Sequence, residues 1–384
     1  MTAAIEIAAR EIGRVRGERA GPTLIVVGSL HGNEAGGVRA CERVFGALRE
    51  RPLPIAGELV MLAGNVGALR EGRRYRVKDL NRVWREEQVA ALRARDPAHD
   101  DAEDREQREL LSAIDEALAR ARGPAFLVDL HTTSAAGHPF VLFGDTIPQR
   151  EFAITLPLPI LLGLEEQVDG VLSEHMTRRG LVTLAVEGGQ HDDPASIDHL
   201  AAVVWIALSS ASLLARSDNP HLESALARLD RARGAVPRVL EVSSRRVIGE
   251  GDAFRMEPGF ANLAPVSKGQ TLATHTRGGV TETVRAPHDG WVMLPLYQGQ
   301  GSDGFFWGRA VSERRLRASR LLRDLRLDRL LRALPGVSRD RGDRDRLRVD
   351  TRVARFYPLE VFHLFGFRKI REEGATLVVE RRKH

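Results

Sequence analysis

A chain of 384 residues is long enough for a large core and reads as two or three domains rather than one. Its 43% hydrophobic and 28% charged fractions are those of a soluble globular protein, and no uninterrupted apolar run approaches a membrane span. The single cysteine, Cys41, excludes an intramolecular disulfide, and the opening MTAAIEIAAREIGRVRGERAG lacks the apolar stretch of a signal peptide, so the expected location is the cytoplasm.

Along residues 1–215, short apolar runs alternate with helical patterns, which predicts an α/β domain with a largely parallel sheet. Predicted strands are TLIVVGSL (23–30), LVMLAGN (59–65), AFLVDL (125–130) and LVTLAVE (181–187). Predicted helices are 36–50, 105–122 and about 197–215, and the acidic DPAHDDAED (96–104) reads as a solvated loop. A helix and linker over 216–235 leads into 236–312, where short β-rich pieces between glycine and proline turns predict a small barrel or sandwich. Residues 313–384 form an arginine-rich tail that opens with an amphipathic helix over 313–334, in which Leu321 and Leu325 recur at helical spacing. It ends on a β-like stretch, ATLVVERR.

Much of the net charge of +5 sits in that tail, so it is local rather than a property of the whole fold. A protein acting on nucleic acid or an anionic membrane through the tail is one reading. The tail has few aromatic residues to stack on bases, and its acids partly neutralise the arginines, so a solvated or self-packing helix is expected and nucleic acid is not.

Function in α/β sheets collects where strands end. His31 and Glu34 follow the first predicted strand, His131 directly follows the third, and Glu187 ends the fourth. Between them RRYRVKDLNR (73–82) supplies Arg74, Asn81 and Arg82. Two histidines and a carboxylate are a familiar ligand set for catalytic zinc, which leaves one position to water. A further carboxylate must then take a proton, and cationic or amide groups must stabilise an oxyanion and hold the substrate. Singly, each residue has a plain alternative: His31 and Glu34 as helix-start residues, Asp129 and His131 as hydrogen-bonding core groups.

Together these segments resemble the succinylglutamate desuccinylase/aspartoacylase family, whose catalytic domain is related to the zinc carboxypeptidases. The resemblance runs through HGNE (31–34), the spacing of Arg74 to Asn81 and Arg82, REQREL (105–110), DLHTTS (129–134) and VEGGQH (186–191). It continues through MEPGFANLAPVSKGQTLA (256–273) and APHDGWVMLP (286–295), and stops before the tail. It implies a mixed sheet flanked by helices and a smaller C-terminal β-rich domain. It also implies one zinc ion per chain on His31, Glu34 and His131, with Glu187 as the general base and Arg74 polarising the scissile carbonyl. Asn81 and Arg82 would hold the free carboxylate of an N-acyl amino acid or similar small carboxylate, with Asp129 a partner of His131. The family also suggests a homo-oligomer. Animal aspartoacylases further use a tyrosine and an arginine on the substrate; Arg178, Arg179 and Tyr297 lie near those places in this chain. A carboxypeptidase acting on peptide C-termini is the alternative enzyme, disfavoured because the β domain in such proteins narrows access to the site.

Overall fold

The computed structural model describes residues 9–164, 167–298, 302–325, 327–340, 343, 345–353, 362–363 and 365–381. The first part of the chain runs β1 (Glu11–Arg16), β2 (Thr23–Gly28), α1 (Gly36–Glu50), β3 (Glu58–Ala63), α2 (Val66–Arg70), α3 (Glu86–Ala94) and α4 (Ala102–Ala119). It continues through β4 (Ala125–Thr133), β5 (Phe140–Leu142), α5 (Ile147–Ala153), β6 (Ile160–Leu162), α6 (Leu172–Arg178), β7 (Val182–Gln190), α7 (Pro194–Ser210) and α8 (Leu222–Arg233). Then come β8 (Val239–Val247), β9 (Ala253–Met256), β10 (Ala264–Val266), β11 (Thr271–Arg277), β12 (Val280–Arg285), β13 (Gly290–Met293) and β14 (Asp303–Ala310). The tail holds α9 (Glu313–Asp324), β15 (Val337–Arg339), β16 (Arg346–Asp350), β17 (Phe367–Glu373) and β18 (Thr376–Arg381).

One sheet runs β1-β3-β2-β4-β7-β5-β6-β8-β14-β13-β10. Its centre is parallel: β2 lies between β3 and β4, and β4 pairs with β7 in the same sense. Both faces there are covered, which is why TLIVVG and ELVMLA are apolar throughout and buried at every position. The sheet is mixed because β1 and β5 join it antiparallel. The expected parallel character holds for β3-β2-β4-β7 and again for β5-β6-β8, with antiparallel pairings between and beyond them. Helix α1 buries Val38, Cys41, Val44 and Leu48 at helical spacing against one face. Beyond β6 the sheet continues directly into the C-terminal strands, while β12-β11-β9 form a separate small sheet.

Two expectations are corrected. The acidic stretch 96–104 is not a solvated loop: Asp100, Glu103 and Asp104 are buried, and α4 begins within it at Ala102. The carboxylate of Glu103 accepts from the backbone N–H groups of Arg76, Val77 and Lys78 at 2.7, 2.8 and 3.2 Å, so it satisfies a loop in place of water. The tail helix is also shorter than predicted, since α9 stops at Asp324 and a 3-10 turn spans Leu327–Ala333. Leu321 and Leu325 are exposed rather than packed. The tail instead builds a small sheet, β15-β16-β18-β17, around Leu347, Val349, Phe362, Phe367 and Val379.

This unit is fastened to the main sheet at Asp145, which is fully buried. Its carboxylate receives Arg323 Nη2 at 2.8 Å, Arg150 Nη2 at 2.9 Å and Arg368 Nε at 3.2 Å. Burial opposes the charge on Asp145, but Arg368, Arg150 and Arg323 hold its carboxyl well below the usual range. No helix among the described residues is long and apolar enough to cross a membrane.

Candidate functional site

The register of the central strands assembles the site. His131 on β4 lies directly across from Glu187 on β7, and the end of β2 lies beside Leu130. From there the chain turns sharply through Ser29, whose φ of 61° is left-handed. Its hydroxyl donates to the Glu34 carbonyl at 2.7 Å, closing the segment that carries His31. Gly32 is required next: a Cβ there would meet the Ala68 backbone at 2.2 Å. The Gly32 N–H donates to the Arg74 carbonyl at 3.0 Å, and the Glu103 carboxylate holds the following residues of that loop. Thus a buried acid on α4 sets where the Arg74–Arg82 segment meets the strand ends.

His31, Glu34 and His131 are buried, and one ligand atom from each lies within 4.8 Å of the others. His31 Nδ1 is 2.7 Å from Glu34 Oε1, and His131 Nδ1 is 2.9 Å from Glu34 Oε2. The other nitrogen of each ring faces an aspartate. His31 Nε2 is 3.0 Å from Asp79 Oδ1, and His131 Nε2 is 2.9 Å from Asp129 Oδ2. With an Nε2–H donated to each of these acids, a metal that displaced protons from the two Nδ1 atoms would find both lone pairs on the side of the Glu34 carboxylate. Buried Glu34 is held well below the carboxylate range because His31 and His131 outweigh the burial penalty. Burial opposes charge on His131, but Asp129 and Glu34 raise it well above the imidazole range.

Glu187 keeps one edge open to the cavity, yet its Oε2 is enclosed without a hydrogen-bond partner among the described residues. Loss of surrounding water pushes its carboxyl up to about 8. Arg74 donates to Asp79 from Nη2 at 3.1 Å and stands 3.6 Å from Glu34, and it stays charged because these acids outweigh its burial. Asn81 accepts from the Leu172 N–H at 2.9 Å, so its oxygen serves α6 while its amide nitrogen lies 3.5 Å from His131 Nε2. Arg82 donates to the Asn81 carbonyl at 2.8 Å and stands 3.7 Å from Asp303, which leaves further donors for a ligand.

All seven expected site residues line one cavity of about 680 Å³. Asp129 takes the place expected for it beside His131. Arg178, Arg179 and Tyr297 do not line the cavity. The arginines pair with Glu174 and Asp115, and the Tyr297 hydroxyl donates to the Glu257 carbonyl at 2.7 Å. Sequence reasoning missed Asp79, whose only signal is an acid set immediately before Leu-Asn-Arg. It also gave no role to His191, Arg245 and Asp303, which line the same cavity.

The chain is also similar to known proteins. Residues 20–264 match the succinylglutamate desuccinylase/aspartoacylase catalytic domain. The succinylglutamate desuccinylase of Burkholderia thailandensis is 26% identical over 262 residues, covering 65% of this chain and 70% of that protein. Among solved structures, a succinylglutamate desuccinylase/aspartoacylase from Rhodobacter sphaeroides superposes with a TM-score of 0.56 at 18% identity, over 78% of this chain and 88% of that one. The product-bound ectoine utilization protein of Ruegeria pomeroyi gives 0.54 at 20% identity, over 77% and 88%. These likenesses share the zinc carboxypeptidase-like fold.

Proposed function

The chain belongs to the succinylglutamate desuccinylase/aspartoacylase family, and from that premise we propose that it hydrolyses the amide bond of an N-acyl amino acid or similar small carboxylate, using one zinc ion. The observation that carries the reading is the pair of Nδ1 atoms turned toward Glu34, each ring braced by its own aspartate, beside a Glu187 oxygen without a partner.

The donor set fits zinc: His31, Glu34 and His131 would hold it, as two imidazoles and a carboxylate do in catalytic sites. When bound there, zinc supplies positive charge that polarises a carbonyl and makes water more acidic. A second feature fits. A carboxyl at about 8 keeps its proton at neutral pH, so a base role for Glu187 needs additional positive charge nearby to draw it back to carboxylate.

Glu187 accepts a proton from the attacking water on the oxygen that faces the cavity and delivers it to the leaving amine nitrogen as the C–N bond breaks. Arg74, fixed by Asp79, faces the negative charge that builds on the carbonyl oxygen. Arg82 takes the substrate's free carboxylate, for which its planar fork is suited, and the Asn81 amide nitrogen assists.

The test is metal analysis of the purified protein with a screen over N-acyl amino acids and a blocked peptide with a free C-terminus. About one zinc per chain, lost in His31→Ala and in His131→Ala, together with amine release from N-acyl amino acids, is the expected result. Full zinc in both variants removes the ligand assignment, and cleavage of the peptide alone favours the carboxypeptidase.

A further inference from the structure

The cavity is not charged throughout. Leu142, Leu164, Val168, Leu294 and Phe306 line it, and all five belong to one apolar cluster packed between the end of β5, the segment after β6 and strands β13 and β14. The patch is built around an unusual residue. Leu294 has a φ of 51°, a left-handed conformation that a bulky side chain adopts only under strain.

That conformation is imposed by a buried amide. Asn262 Oδ1 accepts from the Leu294 N–H at 2.7 Å, and Asn262 Nδ2 donates to Thr133 Oγ1 at 2.6 Å. Thr133 lies two positions after His131 on β4. The strained leucine is therefore tied to the strand that carries a proposed metal ligand, and it shares the cavity with Glu187. A glycine would adopt this backbone without strain, so a leucine here puts apolar surface in the cavity at an energetic cost.

Resting on the hydrolase reading of the same site, we infer that the preferred substrate carries a bulky apolar group that packs on Leu294, Leu142, Leu164, Val168 and Phe306. The group is an acyl chain or an amino-acid side chain of several carbons, rather than a second carboxylate. A patch of this kind strengthens binding by about fourfold for each methylene it buries.

The experiment uses the full zinc-loaded chain and two substrate series. In one, glycine carries acetyl, butanoyl, hexanoyl, isocaproyl or succinyl groups. In the other, N-acetyl is fixed on glycine, norvaline, leucine and phenylalanine. Wild-type kcat/KM is measured, and Kd is measured by calorimetry on Glu187→Gln so that binding is read without turnover. The expected result is a rise of about fourfold per methylene in one series, with isocaproylglycine favoured over the similarly shaped succinylglycine. The series that rises identifies which half of the substrate the patch receives. Leu294→Gly should flatten that series while its melting temperature stays near wild type, because glycine tolerates this φ. Leu294→Asn, also tolerant of it, should flatten the series in the same way.

Flat Kd values in both series overturn the inference and leave hydrolysis standing, as does succinylglycine bound more tightly than isocaproylglycine when the side-chain series is flat. A rising series that Leu294→Gly leaves unchanged overturns the role of Leu294. Tightening along a series from which wild type releases no amine keeps the patch and removes the hydrolase reading instead.

Discussion

Glu34 at the strand ends and Asp145 under the tail are both buried carboxylates surrounded by cationic groups, and both are held well below the usual carboxylate range. The groups around them differ. Glu34 meets two imidazoles, at 2.7 and 2.9 Å, which can give up protons and offer lone pairs to something else. Asp145 meets three guanidinium groups, which keep their protons at any physiological pH. Even Arg323, pushed down to about 10 by burial, remains a cation at neutral pH. Burial of a charge therefore does not by itself mark a site. Exchangeable partners and an open cavity set the first cluster apart as the proposed chemical centre; permanent partners and enclosure suit the second to a fastening.

The largest test of this contrast is Glu187→Gln. It keeps the shape of the strand end but removes the proposed proton acceptor, so turnover should fall by about 10²–10⁴ while zinc content and stability stay close to wild type. Retention of wild-type kcat would move the base elsewhere, with Asp129 the first residue to examine. Asp145→Ala should do the reverse. Three arginines left around a missing carboxylate should cost about 3–5 kcal/mol of stability in denaturant titration, with zinc content per folded molecule unchanged. An unchanged unfolding midpoint would mean that the tail is held by its apolar contacts alone.

A smaller effect separates the arginines of the two regions. Arg82 has donors to spare for a ligand, whereas Arg323 spends its own on Asp145 and on the carbonyls of Asp145 and His363. Arg82→Lys should raise KM for N-acyl amino acids by about tenfold with kcat little changed, because a point charge replaces a bidentate fork. An equal fall in kcat with KM unchanged would put Arg82 on the transition state rather than on the carboxylate.

The two regions also differ in how much the sequence reveals. Strands β2, β3, β4 and β7 are short apolar runs, helix α1 spans the predicted 36–50, and the polar residues at the strand ends are close to them in sequence. Local pattern suffices there because each of these polar residues lies within or just after a strand that is itself legible as an apolar run. Glu103 is not legible as a buried group because its partners are backbone N–H groups more than twenty residues away, and nothing in an acidic run says which carboxylate will find them. Asp145 and Arg368 are 223 positions apart, so neither residue alone signals the contact. Apolar spacing in α9 suggested a buried face, yet Leu321 and Leu325 stay exposed while an arginine from the same helix makes the attachment.

The smallest predicted effect concerns acid. Asp145 has a depressed pKa in the folded protein, so its contribution is fully present above the ordinary aspartate value of about 3.9 and is lost as pH falls through the lower folded value. Between neutral pH and about pH 5, the stability gap between wild type and Asp145→Asn should stay constant. Below about pH 4 the gap should narrow, because Asp145 of the wild type takes up a proton in the unfolded chain while still ionised in the folded one, and the variant has no such group. Glu34 and Asp79 are also depressed, but both proteins keep them, so their acid response cancels in the difference. Urea titrations of both proteins across this range read the gap directly. A gap that widens toward low pH would mean that Asp145 is more easily protonated in the folded state than in the unfolded one, and that its three arginines do not hold it as a carboxylate.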